Sequence, residues 1–100
     1  MSVSIYQLTL DFPTEELYGL SAQLRRASVS TASNIAEGWG RGSRGEYKQF
    51  LGIARGSNFE IQTQLVIVGE LGYGSKEKLR RAEELSVEVG KMLVVMMKNL

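Results

Sequence analysis

The sequence contains no cysteine and no histidine. The first absence excludes disulfides, thiolate nucleophiles and Cys/His zinc sites, and it fits a reducing compartment such as the cytoplasm. The second removes the commonest general base and a common metal ligand. Serine, lysine and glutamate remain as catalytic material, but no pair of them is set out with an orienting third group, so the chain reads as a non-enzyme with no cofactor and no metal. Proline and tryptophan occur once each, as Pro13 and Trp39. Long apolar runs are missing too. The longest, Met92–Met97, falls far short of the ~20 residues that cross a bilayer. The amino terminus, MSVSIYQLTLDF, lacks a basic segment and does not read as a signal peptide.

What is present is the material of one modest core. One hundred residues with 43% apolar content are enough for a single domain over residues 1–100 and too rich in apolar groups for disorder. A core of this size often leans on a second chain. Net charge is only +1, yet it is unevenly spread: residues 1–24 sum to −3, residues 25–55 to +4, and residues 56–100 balance at six against six. The basic middle consists of Arg25, Arg26, Arg41, Arg44, Lys48 and Arg55 against Glu37 and Glu46, an imbalance that favours an anionic partner.

Along the chain, Val3–Leu10 predicts a short helix, because nothing else offers a strand partner. Pro13 ends it. Thr14, Glu15 and Glu16 are a helix-start signal, and Gly19 allows a short turn before the main run from Leu20. Leu20, Leu24, Ala27, Thr31 and Ile35 then form one face. The serines, threonine and asparagine between them are poor helix formers, so packing must hold this helix. Gly38 is expected to end it or tighten its last turn. Gly40-Arg41-Gly42-Ser43-Arg44-Gly45 fits G-x-G-x-x-G, but a dinucleotide fingerprint needs a strand before it and a βαβ unit around it. Here Ser43-Arg44-Gly45-Glu46 reads as a capping box for the next helix.

From Glu46 to Leu71 three stripes share one helix. Tyr47, Phe50, Leu51, Ala54, Asn58, Ile61, Leu65 and Val68 make the apolar face. Arg44, Lys48, Arg55 and Gln62 make a basic one, and Gly45, Gly52, Gly56 and Thr63 a small-residue one. Interior glycines cost about 1 kcal/mol each against alanine, so Gly52-x-x-x-Gly56 suggests a compensating close contact with another helix or subunit. After Gly72–Ser75, with Ser75 as N-cap, a last helix carries Leu79, Ala82, Leu85, Val89, Met92 or Leu93, and Met96, with Glu77–Arg81 as an i,i+4 pair. Its end, Met92–Met97, is apolar all round, as helix ends are when something beyond their own bundle covers them. Four helices with short connections predict an all-α, up-down-up-down four-helix bundle.

Tyr18-Gly19-Leu20, Gln23–Ala27, Ser33–Gly38, Gly40-Arg41, Glu46, Phe50-Leu51, Ile53–Ser57, Glu60, Gln64-Leu65 and Leu71-Gly72-Tyr73 carry a resemblance over nearly the whole chain. They resemble the four-helix bundle family first noticed as reading frames in intervening sequences of bacterial large-subunit ribosomal RNA genes. That family also holds the accessory variability protein of diversity-generating retroelements. The resemblance implies a bacterial homopentameric ring with a basic surface, sometimes labelled a ribosomal protein. It also implies a relative that binds a reverse transcriptase and nucleic acid. Most members have no known function. Carried onto this chain, the basic surface comprises Arg25, Arg26, Arg41, Arg44, Lys48 and Arg55, with Glu37, Glu46 and Glu60 as pairing partners. Three departures stand out: a first helix of only about three turns, Ala32 where the family often has Pro, and Asn58 where it tends to have Leu.

The expected function is a non-enzymatic oligomeric scaffold that binds RNA or DNA weakly through phosphate contacts. Its subunit contacts are expected at Gly52, Gly56, Thr63, Met96 and Met97. The alternative is a protein–protein adaptor whose basic stripe serves subunit pairing or an acidic partner. Trp39 and Tyr47 flank the arginines, where they stack on bases or pack between helices or subunits.

Overall fold

The computed structural model describes residues 1–16 and 19–100, so Tyr18 of the resemblance lies outside the described residues. Four α-helices follow one another: α1 (Ser2–Thr9), α2 (Leu20–Trp39), α3 (Arg44–Leu71) and α4 (Lys76–Lys98), with a 3₁₀ turn at Thr14–Glu16 between the first two. No strand occurs among the described residues. Each helix packs on its chain neighbours, and α1 closes the ring against α4. The result is the up-down-up-down bundle that the periodicity predicts, about 43 Å long and 22 by 18 Å across.

The short α1 has too few residues to persist alone. Burial holds it: Ile5 and Leu8 are fully enclosed, and just beyond its end Phe12 tilts against Tyr73 at 5.5 Å between ring centroids. Gly74, at φ +72°, passes so close that a Cβ would stand 3.0 Å from the Leu8 side chain. Only glycine fits both the left-handed backbone and that space.

Glu16 turns back to accept from the Leu20 amide at 3.1 Å, a carboxylate where the N-terminal end of α2 favours one. Helix α2 then runs unbroken through Ala32. Its weak helix formers are absorbed in two ways. Ser28 and Thr31 are buried and donate to backbone carbonyls of their own helix. Ser30 meets Ser57 of α3 at 3.0 Å, and Asn34 donates to the Ser30 carbonyl. Small side chains here let α2 and α3 pack as the most extensive helix pair.

The structure corrects several expectations. Gly38 does not end α2 but lies in its last turn, where its carbonyl accepts from the Arg41 amide at 3.1 Å, and the helix continues through Trp39 to a cap at Gly40. Gly38 is buried, and a Cβ on it would stand 3.0 Å from the Phe50 Cβ and 3.3 Å from Tyr47 atoms; it is glycine because α3 passes there. Helix α3 begins at Arg44, where the Ser43 capping box places its start. The Ser43 hydroxyl caps it as expected, accepting from the Glu46 amide at 3.2 Å. On α4 it is Leu93 that enters the core, while Met92 is exposed. Glu77 and Arg81 do not form their pair; Lys78 reaches Asp11 instead.

The core is divided. Nine buried residues from Ile5 to Ala82 form the larger cluster, to which α1 contributes Ile5 and Leu8. Leu51, Ala54 and Leu93 form a smaller one, flanked by Ile35, Tyr47, Val89, Met96 and Met97, all from α2, α3 and α4. Asn58 stands on the α3 apolar face, fully buried, and its amide donates to the Ser86 carbonyl of α4 at 2.9 Å. Its Oδ1 has no partner.

Candidate nucleic-acid interface

The basic residues divide by what surrounds them. Arg25 is half-buried; its Nε donates to the Thr9 hydroxyl at 2.8 Å and its guanidinium lies over the Tyr6 ring at 4.9 Å. It is a tie between α1 and α2. Arg26 pairs with Glu60 across α2 and α3. Arg41 pairs with Glu37 at 2.5 Å, approaches Glu46 at 3.8 Å and lies over Phe50. The three carboxylates singled out in the sequence therefore do meet two of these arginines. Exposed pairs of this kind add little stability, but they place the side chains.

Arg44, Lys48 and Arg55 differ. All three are exposed, and none has a carboxylate partner among the described residues. They share one edge of α3 over about 16 Å. The capping geometry at Ser43 sets the register of this edge, and the burial of Leu51, Ala54 and Asn58 turns it outward. Arg55 lies over the Phe59 ring at 5.2 Å, which holds its guanidinium at the surface.

Across from Arg55, α4 supplies Lys91. Together they rim a shallow groove of about 450 Å³ whose walls include Phe59, Val87, Val94 and Val95. Lys98 lies seven residues on and on the same face of α4. Neither lysine was singled out in the sequence, since residues 56–100 balance in charge overall. Only the packing of α3 on α4 sets Lys91 beside Arg55.

The small-residue stripe is also placed. Gly45, Gly52 and Gly56 point away from the protomer, and a Cβ at any of them would meet nothing within 4 Å. Thr63 on the same stripe is exposed. Ile53, Phe59, Val66 and Ile67 flank the stripe, each between 44% and 65% exposed. Met96 and Met97 instead pack, half-buried, against the smaller core cluster, leaving Met92 and Val95 as the exposed apolar residues of that helix end.

At the α2–α3 corner Trp39 is 78% exposed. Its ring meets Tyr47 edge-on at 6.1 Å, so it does not pack between helices of its own protomer. No described helix is long and apolar enough to cross a membrane.

The sequence profile of the 23S rRNA-intervening sequence proteins matches residues 1–95. No curated protein matches the chain. A protein of unknown function from the S23 ribosomal protein family of Bacteroides thetaiotaomicron superposes with a TM-score of 0.83 at 24% identity, over 97% of this chain and 88% of that one. At that identity the likeness speaks for the fold.

Proposed function

Because the chain belongs to the 23S rRNA-intervening sequence protein family, we propose that it is a non-enzymatic, cytoplasmic, oligomeric scaffold that binds RNA or DNA through phosphate contacts. The observation that carries this reading is the edge formed by Arg44, Lys48 and Arg55, three exposed cations without carboxylate partners among the described residues. Cations already neutralised by a neighbour gain less from a phosphate; unneutralised ones on one straight edge add their attraction. Such contacts release counterions and carry little sequence information. In a ring, the resemblance's homopentamer, each protomer repeats the edge and weak contacts combine into avidity.

The test compares two sets of variants. Arg44→Ala/Lys48→Ala/Arg55→Ala together should lower nucleic-acid affinity by at least tenfold and flatten its salt dependence. Arg26→Ala/Arg80→Ala/Arg81→Ala, which removes as many cations but none from this edge, should change affinity by less than threefold. Equal loss in both would show that overall charge, and not this edge, governs binding.

A second reading is favoured by the groove between α3 and α4, whose apolar walls lie between Arg55 and Lys91. This arrangement suits an acidic, amphipathic protein segment, and the chain would then be an adaptor. Binding of an acidic protein with no affinity for nucleic acid at low salt would favour it.

A further inference from the structure

Resting on the phosphate-contact reading above, we infer that the cleft at the α2–α3 corner takes an unstacked nucleobase, so that the protein prefers single-stranded nucleic acid to duplex. The cleft holds about 300 Å³ and is lined by Trp39, Arg41, Ser43, Arg44, Tyr47 and Leu100. Three features set it apart from the rest of the basic edge.

First, it presents an indole in the open. Trp39 is 78% exposed, although its apolar surface would gain from burial. Its ring is braced without being covered: Tyr47 abuts it edge-on at 6.1 Å. Tyr47 is itself wedged close to Gly38, and that close approach fixes the corner. A supported aromatic plane facing solvent is what a base stacks on.

Second, the two arginines beside it are unlike. Arg41 is held by Glu37, Glu46 and the Phe50 ring, so it shapes the cleft wall and offers little free charge. Arg44 is exposed and has no carboxylate partner among the described residues. It opens α3, whose first turn already holds the Ser43 cap and the Glu46 carboxylate, so the attraction for a phosphate here comes from Arg44 itself. A nucleotide with its base against Trp39 brings its phosphate towards Arg44, and the chain then continues along Lys48 and Arg55.

Third, duplexes cannot use this site. Their bases are hidden in the stack, whereas single strands and loops can splay a base outwards. Duplex nucleic acid would meet the phosphate edge only.

Trp39 is the only tryptophan of the chain, so its fluorescence reports on the cleft directly. The experiment titrates wild type, Trp39→Ala and Trp39→Phe with a single-stranded RNA 12-mer and with a 12-base-pair duplex at low salt, following fluorescence, anisotropy of the labelled RNA and mass by light scattering. The expected result has several parts. The 12-mer quenches Trp39 and the duplex does not. Trp39→Ala weakens the 12-mer about tenfold and the duplex by less than twofold. Trp39→Phe, which keeps a stacking face, retains most single-strand affinity.

Binding of the 12-mer without quenching, or equal affinity of wild type and Trp39→Ala, overturns the inference and leaves the basic edge standing. A changed oligomeric mass in Trp39→Ala also overturns it, because the indole would then be a subunit contact. Failure of both RNAs to bind wild type at low salt removes the phosphate reading and this one with it.

Discussion

Gly38 and Asn58 show how single residues carry the packing of this bundle. Alanine is the better helix former, and in an open helix Gly→Ala gains about 1 kcal/mol. At Gly38 the sign reverses, because the new methyl would stand 3.0 Å from the Phe50 Cβ and 3.3 Å from the Tyr47 backbone oxygen. Gly38→Ala should therefore lower stability by roughly 1–3 kcal/mol. Urea denaturation followed by circular dichroism measures it, and an unchanged or higher midpoint would mean that the corner gives way easily. Asn58 contributes a hydrogen bond to the Ser86 carbonyl but leaves Oδ1 unpartnered in the core. Its neighbour Gly90 leaves room for that amide: a Cβ there would stand 3.1 Å from Nδ2. The polar side chain at this position is thus accommodated by the missing side chain of Gly90 on α4.

Among the elements, α3 organises the molecule, since its three faces serve three ends. The inner face builds both core clusters, the edge towards α4 carries the free cations, and the outer face is smooth where Gly52 and Gly56 lie. Nothing among the described residues explains those glycines, as a Cβ at either would meet nothing within 4 Å. If they serve contact with a second copy, Gly52→Ala/Gly56→Ala should raise protomer stability by about 2 kcal/mol while weakening assembly. Gly56→Leu should break assembly and leave a helical protomer. Light scattering beside circular dichroism separates the two effects, and a Gly56→Leu variant of unchanged mass would rule out that face as the contact.

The helices themselves were legible in the sequence because periodicity and caps agree. Ser43 and Ser75 cap where the pattern places them, and every apolar-stripe residue from Tyr47 to Val68 is buried or half-buried. Less legible was whatever depends on how two helices cross. Gly38 looks like a stop signal in one dimension and is a close approach in three. Lys91 reads as one charge of a balanced stretch, residues 56–100, until α4 is laid beside Arg55. Arg25 and Arg41 count as surface cations in the sequence; the first ties α1 to α2, and the second is held between two carboxylates.

Across the whole molecule, the bundle is not uniform along its length. The end capped by α1 has four helices and nine enclosed core residues. The other has three helices around Leu51, Ala54 and Leu93. Fewer buried apolar contacts mean cheaper local opening. In the dissociated protomer, the amides of Leu51 and Ala54 should exchange with solvent at least tenfold faster than those of Ile61 and Leu65, although all four lie inside α3. Equal protection along α3 would show that the bundle opens as one unit. The less enclosed end is also the end that bears Trp39, Arg44 and Lys48, so assembly or ligand binding there would stabilise the weaker part of the fold.

The claim that most needs testing is that the cations of α3 contact phosphates. The most direct measurement is the affinity of the intact oligomer for a structured RNA as salt is raised from about 50 to about 200 mM, with mass followed by light scattering. The account predicts unchanged mass and a steep linear fall of log affinity with log salt. That slope should drop by roughly two to three for each engaged protomer when Arg44, Lys48 and Arg55 are replaced by alanine. Affinity that ignores salt, or a slope untouched by the triple substitution, would contradict it.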